Sequence, residues 1–133
     1  MIFNDTNRID SAVIRRACKE AQKSDVTRGR VGAVIFTNSG HIVTSAHNAV
    51  CMGHTKKFTI HAERFLLAKI ARMKIVKRFG VSKLNILVAR YKPSSKYAAN
   101  AKPCEECQFY LKEAGIRTYY SNNNAEVVEW KET

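Results

Sequence analysis

Apolar residues Ile9, Ala12, Val13, Ala17 and Ala21 recur at three- and four-residue spacing, with Arg15, Arg16, Lys19 and Lys23 between them. That period predicts an amphipathic first helix over residues 9–24. Cys18 adjoins the apolar stripe and reads as packing, since a free cysteine behaves as a small hydrophobe. The run Val31-Gly32-Ala33-Val34-Ile35-Phe36 predicts a buried strand. Asn38-Ser39-Gly40 carries the turn residues of a hairpin, and residues 41–47 alternate as its returning strand. Residues 51–59 read as a connector. A second stripe, Ala62, Phe65, Leu66, Ile70, Met73 and Val76, predicts one helix over 61–79 that ends at Gly80. Its other faces carry Arg64, Lys69, Arg72, Lys74, Lys77 and Arg78. A strand over 84–90, a polar loop over 91–102, a short helix over 104–114 stopped by Gly115, and strands over 116–120 and 127–130 complete the chain. The link from Tyr120 to Val127 is far shorter than the dozen or so residues a parallel crossover needs. The last two strands are therefore expected to form an antiparallel hairpin.

Composition narrows the class. The chain has 133 residues, 45% apolar and 26% charged, which are globular values and enough for one continuous core. No internal repeat or second set of elements appears, so residues 1–133 are expected to form a single domain. No apolar run approaches the roughly 18 residues of a membrane span, and MIFNDTNRID lacks the basic-then-apolar order of a signal peptide. The expectation is a cytoplasmic protein with no membrane partner. Four cysteines, two of them closely paired and two scattered, suit a reducing compartment better than a disulfide framework. Twenty-three basic against eleven acidic side chains give a net charge of +12. A field of that sign attracts polyanions and speeds encounter with phosphorylated substrates, although it also serves simply as a solubilising surface.

The chemistry concentrates in His61-Ala62-Glu63 and Pro103-Cys104-Glu105-Glu106-Cys107. One imidazole and two thiolates, from His61, Cys104 and Cys107, make three ligands for one Zn²⁺. Three protein ligands leave a coordination position for water, as in catalytic rather than structural zinc sites. Glu63 stands two residues past the histidine, where a carboxylate can take a proton from that water. Both motifs are expected to open helices, whose N-terminal dipoles favour anions and lower thiol pKa values. Cys51 lies outside the motif spacing and reads as packing or an ordinary surface thiol.

H-x-E followed by P-C-x-x-C, in that order, is the pattern of zinc-dependent nucleobase deaminases, and the chain resembles the cytidine and deoxycytidylate deaminase superfamily. The resemblance implies a three-layer α-β-α sandwich of the cytidine deaminase-like type: a five-stranded mixed sheet, helices on both faces, and a C-terminal antiparallel hairpin. That hairpin is similar to the nucleoside-type branch; the deoxycytidylate and transfer-RNA branch has a helical crossover there. The implied activity is hydrolysis of the C–N bond of a cyclic amidine, converting cytosine to uracil in a nucleoside or nucleotide, with Zn²⁺ as cofactor and Glu63 as proton shuttle. The resemblance further implies sugar contact at Asn48, substrate contacts at Ala62 and Pro103, and a homo-oligomer. Small nucleoside-type members carry cysteine at the position of His61 and an acidic residue at that of Val50, so this chain departs from them at both.

Arg28 and Arg30 before the first predicted strand, and Lys92, Lys96 and Lys102 before the cysteines, are candidates for neutralising phosphate. Tyr91, Tyr97, Tyr119 and Tyr120 are candidates for substrate contact, whereas Trp130 reads as a core or edge anchor. The carrier stays open between a pyrimidine nucleoside, a nucleotide and single-stranded DNA or RNA, and the base between cytosine and adenine or guanine; a nucleic-acid substrate is expected to be single-stranded, because a base inside a duplex cannot reach a zinc centre without being flipped. Three other readings compete. His54 as a fourth ligand would close a structural zinc site in a nucleic-acid-binding protein. Cys104 and Cys107 would alone suit a redox pair, which explains neither His61 nor Glu63. A deaminase-like binding module without catalysis is the third.

Overall fold

Among the described residues, eight strands and four α-helices follow one another as β1 (Asn4–Asp5), α1 (Ser11–Gln22), β2 (Arg30–Thr37), β3 (Ile42–His47), β4 (Ala49–Met52), β5 (Lys57–Ile60), α2 (Ala62–Arg72), α3 (Ile75–Phe79), β6 (Leu84–Tyr91), α4 (Glu105–Ala114), β7 (Arg117–Ser121) and β8 (Glu126–Glu129). The structure is a computed structural model, and it describes residues 4–5, 9–26, 29–52, 57–91, 100–122 and 126–130. The main sheet runs β1-β8-β7-β6-β2-β3. β2 lies antiparallel to both β3 and β6, β6 and β7 are parallel, and β7 turns back antiparallel into β8. The mixed sheet and the C-terminal hairpin are those expected from the sequence.

Strand alternation divides the sheet residues between two helix layers. Val34, Phe36, Leu87 and Ala89 face Val13 and Ala17 of α1. Ala33, Ile35, Ile86 and Val88 face Ala62, Leu66 and Ile70 of α2 and Leu111 of α4. α1 can lie this close because Gly32 has no side chain: a Cβ there would collide with the α1 backbone at Ala17 and Ala21. α4 lies in the connection between the parallel strands β6 and β7. Gly115 closes it at φ 69°, its N–H donating to the carbonyls of Leu111 and Lys112.

Three features depart from the sequence pattern. The helix expected over 61–79 is two helices, because Lys74 adopts a left-handed φ of 54°. The break turns Ile75 into the core and leaves Met73 and Val76 39% and 38% exposed, although the stripe placed both inside. The connector contains a separate antiparallel ribbon, β4–β5, with Ala49 opposite Ile60. Its strands are too short to show a period, yet they deliver the chain to His61. A sixth strand, β1, pairs in parallel with β8 through two residues whose backbone pairing leaves no hydropathy signal. Trp130, Tyr119 and Tyr120 pack against the two core clusters. Cys18 is also packing, its thiol pushed up to about 11 by burial. Among the described residues, no helix is long and apolar enough to cross a membrane.

Candidate metal centre and cleft

Two helix N-termini converge beside the sheet. His61 is the N-cap residue of α2, in extended conformation, and its side chain does not cap the helix. Its ring is turned instead to the start of α4: Nδ1 lies 3.2 Å from Cys107 Sγ and 3.5 Å from Cys104 Sγ. Cys104 is the N-cap residue of α4, its sulfur accepting from the Cys107 N–H at 3.5 Å. Across the outer surface, Arg64 of α2 bonds Glu106 of α4 at 2.8 Å and stacks on Tyr110, clipping the two helices together.

The three ligand atoms all lie within 4.8 Å of one another. Tetrahedral zinc with bonds of roughly 2.0–2.1 Å to nitrogen and 2.3 Å to sulfur would hold its ligands about 3.6 Å apart, so this spacing fits the ion. The donor set fits too, since imidazole with two thiolates suits zinc. The helix dipoles were expected to lower the thiol pKa values. Among the protein's own groups the balance for Cys107 runs the other way. Burial first, then the charge of Glu63 and the proximity of Cys104, hold its thiol above the ordinary range. A shared divalent cation reverses that sign, because a coordinating thiol is deprotonated outright.

Glu63 is 4% exposed. Burial raises its pKa above the ordinary value, against smaller lowering effects from its own backbone N–H, His61 and Cys107. A carboxyl group moved toward neutrality is suited to passing a proton in both directions.

A cleft of about 350 Å³ opens over this group, and His61, Ala62, Glu63, Cys104 and Asn48 all line it. Cys107 lines a neighbouring depression of about 510 Å³ on the α2–α4 side. Asn48 is buried and largely engaged: its Oδ1 accepts from Val31 N–H at 2.9 Å and its Nδ2 donates to Gly29 O at 2.7 Å. It thereby holds the strand leading into β2 against the cleft wall. Three other expected contacts do not reach the cleft. Arg30 turns back to donate to Val26 O at 3.1 Å. Pro103 is buried, its carbonyl accepting from Gln108 Nε2 at 2.8 Å. Tyr91, the last residue of β6, is not among the lining residues because it stands on the opposite sheet face from Arg90. Arg28, His54, Lys92, Lys96 and Tyr97 lie outside the described residues.

Lys102 does line the cleft, together with Arg90 and Asn100, which the sequence reading passed over. A signal for Arg90 existed: it follows Ile86 and Val88 in strand parity, and so belongs to the face beneath α2.

The fold and the site define the class, an α-β-α sandwich with a His-Cys-Cys group able to hold a metal and a buried acid beside it. The family model described as the cytidine and deoxycytidylate deaminase zinc-binding region matches residues 7–122, and the chain belongs to that family. Among solved structures, it is similar to a cytidine deaminase from Burkholderia pseudomallei at 19% identity and a TM-score of 0.63, covering 91% of each chain. It is also similar to a dCMP deaminase from the cyanophage S-TIM5 in apo form, at 24% identity and a TM-score of 0.58, covering 85% of this chain and 82% of that one. These likenesses show the fold. No curated protein matches the chain.

Proposed function

We propose that this protein is a zinc-dependent deaminase that converts cytosine to uracil in a nucleoside or nucleotide, with release of ammonia. The observation that carries the reading is the convergence of His61, Cys104 and Cys107 within 4.8 Å, in a family defined by its zinc-binding region, beside the buried carboxyl group of Glu63. The two deaminases of similar fold support the choice of base.

His61, Cys104 and Cys107 would hold the ion. Bound there, Zn²⁺ would supply a Lewis acid and lower the pKa of water toward neutrality, making a nucleophile available for C4 of cytosine. Glu63 would accept a proton from the attacking water and deliver it to the ring nitrogen N3. It then moves a proton to the departing amino group, so that cytosine and water become uracil and ammonia. The walls of the cleft position the base, and Asn48 acts through the strand it secures. The same reading expects a cytoplasmic protein and a homo-oligomer, and light scattering on the purified chain would check the oligomer.

Ammonia release from cytidine, deoxycytidine, their monophosphates and triphosphates, adenosine, guanine and single-stranded DNA tests the proposal beside Glu63→Ala. Turnover of a cytosine substrate that Glu63→Ala abolishes, with one zinc per chain in both proteins, is the expected result. Zinc bound stoichiometrically with no ammonia from any substrate, and salt-dependent oligonucleotide binding unchanged by Glu63→Ala, would assign the site to a nucleic-acid-binding protein instead.

A further inference from the structure

We infer that the outer surface made by the end of α2, by α3 and by the turn after it is a docking face for the phosphodiester backbone of a double-stranded nucleic acid, separate from the cleft. Between Glu63 and Glu105 the chain carries no acidic residue, while lysine and arginine recur throughout. Within that stretch Arg72, Lys74, Lys77, Arg78 and Lys83 are all exposed. α2 starts beside His61 and runs 11 residues to Arg72. At a rise of about 1.5 Å per residue, its far end stands roughly 16 Å along the axis from the metal-ligating group.

The cations of this face are not neutralised by the protein. Among the described residues, the ion pairs go to Glu20, Glu106 and Glu129, and none involves these five side chains. Glu129 shares a depression with Val81 and Ser82, and it is engaged with Arg117 at 3.8 Å. Lys69 and Arg64, higher on α2, are already committed to the Ser45 carbonyl and to Glu106. The left-handed turn at Lys74 breaks the helix and exposes Met73 and Val76 among the free cations.

The uncharged part of the face chooses among polyanions. Its exposed large apolar residues are Met73, Val76 and Val81, none of them aromatic. Phe79 is half-buried, with the Arg78 guanidinium 5.4 Å from its ring centre. Single strands are gripped by stacking their bases on aromatic side chains, and this face offers no such platform. A duplex instead presents one charge per roughly 1.7 Å of axis and needs only cations to hold it. An anionic lipid surface fits less well, because interfacial helices bury a long face rich in Trp, Phe and Leu, and α3 has only 5 residues.

Fluorescence anisotropy on the purified full chain tests the inference with duplex DNA, duplex RNA and single-stranded DNA across a salt series. Cosedimentation with phosphatidylserine vesicles runs beside it. Engagement of all five cations predicts duplex affinity that falls roughly 10²- to 10³-fold between 50 and 200 mM salt. Lys77→Gln combined with Lys83→Gln should reduce the slope of log affinity against log salt by about 1.8. The charge-matched pair Arg15→Gln and Lys19→Gln, on exposed positions of α1, should leave that slope near the parent value. Equal losses from both pairs would reduce the effect to net charge and overturn the docking face, as would duplex binding insensitive to salt. Tighter binding of the single strand than of either duplex overturns the choice of partner, and so does binding to vesicles alone. Should the Lys77 and Lys83 pair not fold, acetylation of the parent protein decides: the duplex should protect Lys74, Lys77 and Lys83 more than Lys19, and equal labelling overturns the inference. Duplex binding without turnover of any cytosine compound keeps the face and removes the deaminase. Turnover without duplex binding does the reverse.

Discussion

Two carboxylates on opposite sides of the sheet are almost equally hidden from solvent, Glu63 at 4% and Glu20 at 6%, and their surroundings push them in opposite directions. On α1, burial would raise the pKa of Glu20. Its partners outweigh that: His47 Nδ1 at 2.9 Å, the Ser45 hydroxyl donating at 2.7 Å, and Lys23 at 3.4 Å, so its pKa falls below the ordinary 4.5. Arg16 donates to the same Ser45 hydroxyl, and Lys69 reaches the Ser45 carbonyl from the other face, so this cluster ties both helix layers to edge strand β3. Glu63 has no comparable set of donors, burial prevails, and its pKa rises. The contrast teaches that depth alone does not mark a functional acid. A buried carboxylate with both oxygens engaged holds the fold together, whereas one whose pKa is raised beside a ligand cluster can move protons.

Glu63→Gln should break the comparison most severely. Removal of a general acid–base costs about 10²- to 10⁴-fold in kcat, and the neutral amide suits a site that already disfavours charge. Ammonia release should collapse while zinc content and melting temperature hold, and a large loss of melting temperature would assign Glu63 a structural role. Glu20→Gln should give the converse. Leaving buried donors badly matched costs about 1–3 kcal/mol of unfolding free energy, to be read from urea denaturation, with zinc stoichiometry retained.

The smallest effect sharpens the second. A carboxylate with a lowered folded-state pKa contributes stability that is present above its unfolded value and is lost as pH falls through its folded value. The unfolding free-energy difference between the parent protein and Glu20→Gln should therefore be full at pH 7, begin to shrink below about pH 4.5, and keep shrinking with further acid. A difference that stays constant from pH 7 into that acid range would show that Glu20 acts through shape and not through charge.

Much of this molecule could be read from its residues one after another. Local order determined the two helix stripes, the alternating hairpin between them, and the short C-terminal link that permits only antiparallel return, because each rests on periods and lengths within one segment. The ligand set was also legible: His61 and Glu63 share one helix turn, and Cys104 and Cys107 share another, so composition and spacing alone named the chemistry. Lys74 escaped, because the apolar spacing after Ile70 suits a continuous helix as well as a broken one, and only packing of Ile75 decides between them. The tertiary structure alone decided that Arg90, and not Arg30, faces the cleft; that Asn48 is occupied in securing Gly29 and Val31; and that Glu20 and Glu63 part company. Each of those outcomes depends on groups distant in sequence meeting across strands and layers, and a pKa or a free donor is a property of the neighbours more than of the residue.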